Sequence, residues 1–321
     1  MRRPGDGPRL VALGGGTGLS TLLRAAKRLP LGSLSAIVTV TDDGGSSGRL
    51  RREYAMPPPG DVRNCLVALA EDDELLTRLF AYRFPGEGDV GGHSLGNLFM
   101  TALHQITGDF PSAVRLAAEV LRVHGAVLPA TGEDVHLVAE GSDGHLLVGE
   151  TAITKAGPPR RLQLSPADPP ALPEAAAAIR AADIVVLGPG SLFTSIAPNL
   201  LVPGLREALR HVEGPKVYIA NLVTQPGETD GFDLARHVDE LHAYAPDVEI
   251  DVILANSTPI PADVAAAYRA SGADPIVPPD PWTGAGVLIR RPLLTVTSEG
   301  TVRHEPAHLA AALASLLGMA T

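Results

Sequence analysis

Apolar residues gather in short, nearly unbroken runs at 9–13 (RLVAL), 35–41 (SAIVTVT), 183–187 (DIVVL), 216–220 (KVYIA) and 250–255 (IDVILA). Continuous β-branched runs of this length predict strands buried on both faces, as in a parallel sheet. Helical spacing of apolar residues recurs between them, over 18–29, 61–71, 94–107, 111–123, 173–182, 204–212, 233–244 and 261–271. This alternation predicts an α/β, Rossmann-like, doubly wound and mainly parallel sheet. Over 134–164 the pattern changes, and VHLVAE, HLLVGETAITK and RRLQL read as short strands joined by a polar turn. A helical and small antiparallel β insertion is therefore expected over about 61–164, within a single domain spanning 1–321. Residues 287–305 again read as β-structure, and an Ala-rich helix follows from Pro306 to Gly318.

Composition narrows the classes of function. With 45% hydrophobic and 19% charged residues, the 321-residue chain has the balance of a globular protein, and aromatics are only 4%. Few rings are on offer for stacking on single-stranded nucleic acid. The net charge of −10 repels phosphate backbones, so nucleic acid is not an expected partner and any anion must be held locally. One cysteine, Cys65, excludes an intrachain disulfide and a cysteine metal cluster. No apolar run approaches a membrane span, and the N-terminal segment lacks a signal-peptide core, so a cytoplasmic location is expected.

The chemistry concentrates in the loops that follow strands. Gly14-Gly15-Gly16-Thr17-Gly18 lies between a strand and a helix, where bare main-chain N–H groups can meet a phosphate. It lacks the lysine of a P-loop, and Leu19 stands where a dinucleotide fingerprint has its third glycine. Thr41-Asp42-Asp43-Gly44-Gly45-Ser46-Ser47-Gly48-Arg49 follows the second strand and is expected to face the first glycine turn. Asp42 and Asp43 can hold a ribose hydroxyl or a Mg²⁺ shared with a diphosphate, while Ser46, Ser47 and Arg49 offer anion donors. Asp61, read as the N-cap of a helix after Pro57-Pro58-Pro59-Gly60, brings a third carboxylate, with Arg63 and Asn64 close by.

Gly92-His93-Ser94-Leu95-Gly96 matches the G-x-S-x-G of serine hydrolases, but no strand precedes it. A loop feeding a helix at Ser94 is expected instead, with His93, Ser94 and Asn97 turned to a ligand. His304-Glu305-Pro306-Ala307-His308 matches a zinc-protease pattern that Pro306 breaks, leaving Pro306 as the first turn of the last helix. A second glycine turn, Gly188-Pro189-Gly190-Ser191, and the polar run Asn221, Thr224 and Gln225 follow later strands. Four such loops are expected to open on one edge of the sheet, with diphosphate contacts from Gly15, Gly16, Thr17, Gly190 and Ser191.

Taken together, GGGTGL, TDDGGSSGRLR, PPGDVRNCLVALA, GHSLGNL, GPGSLFTSI with PNLL, and NLVTQPGET resemble the YvcK family of gluconeogenesis factors, within the CofD-like superfamily of 2-phospho-L-lactate transferases. The resemblance runs from about residue 9 to about residue 310. It implies a cytoplasmic protein that binds a UDP-sugar, notably UDP-N-acetylglucosamine, and supports cell shape and peptidoglycan precursor supply on gluconeogenic carbon. It also implies a Ser/Thr protein kinase as partner acting near the C-terminus, where Thr295, Thr297, Ser298 and Thr301 are the local candidates. Further copies of the chain are expected as a homo-oligomer. The transferase branch implies a Mg²⁺-dependent reaction on a deazaflavin, with Asp42 and Asp61 facing the metal. The intact TDDGGSSGRLRRE and PPGDVRNC strings resemble the regulatory branch, which implies a ligand-binding regulator rather than a catalyst.

Overall fold

The computed structural model describes residues 7–71 and 74–319. Its strands are β1 (Arg9–Gly14), β2 (Ser33–Val38), β3 (Ala126–Pro129), β4 (His136–Glu140), β5 (Leu146–Val148), β6 (Arg161–Ser165), β7 (Ile184–Leu187), β8 (Lys216–Ile219), β9 (Val252–Asn256), β10 (Val287–Arg291), β11 (Leu294–Val296) and β12 (Val302–His304). Seven of them form one sheet in the order β10-β9-β8-β7-β1-β2-β3, every neighbouring pair parallel. This is the expected α/β Rossmann-like architecture. The first three strands step outward in one direction and β7 to β10 in the other, so the direction of winding reverses between β1 and β7. Ligands of open α/β sheets bind at such a reversal, beyond the carboxyl ends of the strands.

The central strands are apolar throughout, as burial on both faces requires: Leu10, Ala12, Leu13, Val185, Val186, Leu187, Val217 and Ile219 are at most 2% exposed. Helix α1 (Gly16–Ala26) packs Leu19, Leu22 and Leu23 into the same core. The long β2–β3 connection holds α2 (Gly45–Tyr54), α3 (Gly60–Leu69), α4 (Glu74–Ala81), α5 (Leu95–Thr107) and α6 (Phe110–Val120). Strands β5-β4-β6 form the antiparallel sheet expected over 134–164, and β11 pairs antiparallel with β12.

Three local expectations need correction. The 41–49 run, expected as loop, turns helical at Gly45, where α2 begins, and the buried face of that helix is Ser46, Ser47, Gly48, Leu50 and Arg51. Arg51 ion-pairs Asp134 at 2.7 Å and also donates to the Val135 carbonyl, so a buried guanidinium replaces the usual apolar stripe. The HLLVGETAITK run is not one strand: Gly149, at φ +92°, ends β5, and Glu150–Ala156 form helix α7. Finally, Asp61 is not the N-cap of α3. That position is Pro59, and Asp61 lies in the first turn with its carboxylate turned away to another element. Pro306 does begin the last helix, Pro306–Leu316.

Candidate functional site

The two glycine turns meet at the reversal point. Gly16, the first residue of α1, has φ +62°, a left-handed conformation that glycine alone adopts without strain. Two residues further on, a Cβ at Gly18 would overlap the Pro189 carbonyl, so the turn after β1 and the turn after β7 touch through bare backbone. Together they wall a cavity of about 370 Å³ with Asn221, Gln225 and, from β12, Arg303 and His304. Gly15, Gly16, Thr17, Gly18, Gly190, Ser191, Asn221 and Gln225 thus line one space. Gly188 and Thr224 do not line it. Gly188, at φ +78°, bonds back to Leu13, and Thr224 is buried, exchanging two hydrogen bonds with Asp274.

Not every main-chain donor in these turns is free. The Gly16 N–H donates to Asp61 Oδ2 at 2.7 Å. On the other side, Glu228 Oε1 accepts from the Phe193 N–H at 3.0 Å and from the Ser191 hydroxyl. Burial pushes the Glu228 carboxyl up, opposed by these hydrogen bonds. The Gly190 N–H faces Asn221 Oδ1 at 3.3 Å, which leaves the amide NH₂ of Asn221 as a donor for the cavity. Two lining residues carry buried acceptors with no partner, Gln225 Oε1 and His304 Nε2. Burial lowers His304 to about 4, so its imidazole is neutral, and a hydrogen bond to the Ala220 backbone opposes the shift.

Behind the first turn lies an acidic wall. The Asp61 carboxyl is pushed up to about 6, chiefly by burial and then by the charge of Asp42. Asp42 Oδ1 accepts the Gly44 N–H at 2.9 Å, and Asp43 Oδ1 accepts from the Thr151 N–H and hydroxyl at 2.9 and 2.7 Å. Glu150, also brought in by α7, accepts from Thr41 Oγ1 at 2.5 Å. Burial raises it well above the usual carboxylate range, and Asp61, Asp42 and Asp43 add to the shift. Among the described residues no group of three or more His, Cys, Asp or Glu side chains is set to enclose a metal ion. Asp42 and Asp61 fit the other mode, in which one or two carboxylates hold Mg²⁺ and a ligand's phosphate oxygens complete its shell.

The third group lies beyond Asp61. Ser94 caps α5, accepting from the Asn97 N–H at 3.2 Å and from Arg63 Nη1 at 2.5 Å. Arg63 also reaches Asn64 Oδ1 at 2.6 Å. His93 Nδ1 and Asn97 Nδ2 both meet Ser46 Oγ, at 2.9 and 3.0 Å. His93, Ser94, Asn97, Ser46 and Ser47 are all at most 5% exposed. The Ser94 hydroxyl therefore faces a guanidinium instead of a general base, and no nucleophile elbow exists here.

Sequence reasoning missed Glu150, Thr151 and Arg303, met Glu228 only within the NLVTQPGET run, and met His304 only within the broken zinc-protease pattern. A lone Glu within an apolar run was the one mark of α7, and β12 announces itself only as a short polar strand. The hairpin turn after β11 carries Thr297, Ser298 and Thr301, with Ser298 exposed at its tip, while Thr295 lies within β11 itself. Among the described residues no helix is long and apolar enough to cross a membrane.

Comparison with known proteins establishes the family and the fold. The sequence model of the CofD family, described as 2-phospho-L-lactate transferase CofD, matches residues 10–289. The gluconeogenesis factor of Bacillus subtilis is 44% identical over 315 residues, covering 98% of this chain and 99% of that protein. The gluconeogenesis factor of Halalkalibacterium halodurans is 48% identical over 269 residues, 84% of this chain and 83% of its own. The crystal structure of a UPF0052 family member from Bacillus halodurans superposes with a TM-score of 0.89 at 44% identity, covering 95% of this chain and 98% of the other. The chain belongs to the CofD family, in its YvcK (UPF0052) branch of gluconeogenesis factors.

Proposed function

We propose that the protein is a cytoplasmic regulator that binds a nucleoside diphosphate sugar, UDP-N-acetylglucosamine foremost, and links cell-wall precursor supply and cell shape to growth on gluconeogenic carbon. One observation carries this reading: the two glycine turns at the sheet's reversal point share a single cavity with Asn221, Gln225 and Arg303. Its volume, about 370 Å³, lies within the range of small-molecule sites. Because Asp61 and Glu228 already take the Gly16 and Phe193 N–H groups, the diphosphate draws on the rest: Thr17, the Asn221 amide and the Arg303 guanidinium. The unpartnered acceptors Gln225 Oε1 and His304 Nε2 suit a ligand that brings N–H or O–H donors, as a uracil and a sugar do.

Calorimetric titration with UDP-N-acetylglucosamine, with and without Mg²⁺, tests the reading. Saturable binding is expected, and ligand at 100 times Kd stabilises the fold by about 2.7 kcal/mol. Absence of binding by any UDP-sugar removes the proposal. A second reading, a Mg²⁺-dependent transferase of the phospholactate type, is favoured by the electrostatic coupling of Asp42 and Asp61 beside the Gly16 turn. Formation of product from a guanosine-linked phospholactate donor, a deazaflavin acceptor and Mg²⁺ would establish it, and no product would dismiss it.

A further inference from the structure

Three arginines converge on the loop between α4 and α5, and none of them lines the cavity between the glycine turns. Arg49 Nη2 donates to the Gly91 carbonyl at 2.7 Å, Arg83 Nη1 to the Gly92 carbonyl at 2.5 Å, and Arg63 Nη1 to Ser94 Oγ at 2.5 Å. The anchoring atoms belong to residues 91, 92 and 94 of one chain segment, which brings the three side chains to the same short loop. Gly92 itself sits against Arg49: a Cβ placed there would come 3.1 Å from Nη2. The charges of Arg49 and Arg83 are both felt at His93, and that of Arg83 at Arg63.

The partners of these three carry no charge, in contrast to those of several other arginines. Arg9 pairs with Asp183 at 2.9 Å, Arg51 with Asp134 at 2.7 Å and Arg122 with Glu71 at 3.2 Å. Arg49, Arg63 and Arg83 are fixed only by neutral oxygens, and among the described residues none of them ion-pairs with a carboxylate. Asp61 is the carboxylate whose charge acts on Arg63, and Glu53 acts on the neighbouring His93. Holding like charges together costs free energy, and on a chain of net charge −10 nothing requires it for solubility. Each guanidinium has five N–H donors in a rigid fork, and the neutral anchors use only one or two of them. Arg49 and Arg83 are exposed to solvent, and Arg63 is half-buried against the same loop.

We propose that Arg49, Arg63 and Arg83 form a second anion site, which takes the phosphoryl group of a phosphate monoester distinct from the nucleotide sugar. One carboxylate would be matched by a single guanidinium. Three preoriented forks suit a group with about two negative charges and three or more acceptor oxygens. Ser94 and Asn64 serve as positioning residues, steering Arg63.

The test is a thermal-shift and calorimetric titration of the full chain at constant ionic strength, using inorganic phosphate, glycerol 2-phosphate and, as control, chloride. The expected result is saturable stabilisation by both phosphates, the monoester at least as tight as the free ion, and none by chloride. Arg63→Gln should weaken it tenfold or more. Should that variant fold poorly, the double variant Arg49→Gln with Arg83→Gln, altered only at exposed positions, should show the same loss. Arg303→Ala should leave the phosphate response intact, which separates this site from the nucleotide cavity. A response unchanged in the arginine variants, equal in chloride, or lost in Arg303→Ala would overturn the proposal, and binding of inorganic phosphate alone would overturn the monoester as ligand.

Discussion

The Asp61 carboxylate accepts the Gly16 N–H at 2.7 Å, placing a carboxyl group of raised pKa on a donor that the glycine turn offers to a phosphate. Its carboxyl, ordinarily near 3.8, titrates at about 6 in the fold, so between those values the native state holds more protons than the unfolded chain. Stability from this group is therefore greatest at low pH and falls as pH rises through that window. Asp61→Asn keeps an oxygen for Gly16 and removes the charge. It should stabilise the protein by roughly 1–3 kcal/mol at pH 7.5 and by much less at pH 4.5. Urea denaturation at the two pH values checks this, and an equal effect at both would refute the coupling.

Gly18→Ala addresses the contact between the two turns. The added methyl meets the Pro189 carbonyl, and neither turn can move without disturbing α1 or the segment after β7. A loss of about 1–3 kcal/mol is expected from this overpacking. UDP-sugar affinity should fall with it, because the cavity wall is made of the same two turns. Denaturation and titration of the variant measure both effects.

Arg303 offers the opposite case. It is exposed on a short strand and lines the cavity. Arg303→Ala should change stability by less than about 0.5 kcal/mol, as surface substitutions usually do. Losing a charge-assisted contact to a diphosphate should cost tenfold or more in affinity. Calorimetry of the variant decides the matter.

The sheet was legible because its strands are buried on both faces, so Leu10–Leu13 and Ile184–Leu187 read as unbroken apolar runs. The glycine turns were legible because backbone contact leaves no room for a side chain, as at Gly18. Helix α2 was not legible, because it buries Ser46, Ser47 and Arg51 where a periodic pattern would show apolar residues. Nor could spacing show that Asp61 would leave its own helix end to bind Gly16, or that α7 would carry Glu150 to Thr41 across 109 positions. Such contacts between distant elements are decided by tertiary packing, and single-residue chemistry carries no trace of them. His93, Ser94 and Asn97 show the converse: their polarity suggested a ligand, whereas much of it is spent on one another and on Ser46.

Ser94→Ala separates a positioning role from a catalytic one. The hydroxyl caps α5 through the Asn97 N–H and holds Arg63, and it is fully buried. Removing an N-cap hydroxyl costs about 1 kcal/mol, and the Arg63 guanidinium loses one of its two anchors. The variant should lose roughly 1–2 kcal/mol in urea denaturation and bind phosphate less tightly, while Ser94→Thr, which keeps an acceptor oxygen, restores much of both. Esterase assays of the wild type and Ser94→Ala should give the same background rate, because among the described residues no imidazole is placed to take the Ser94 proton. A wild-type esterase rate that disappears in Ser94→Ala would show that the serine acts as a nucleophile and that its pairing with Arg63 is not the working geometry.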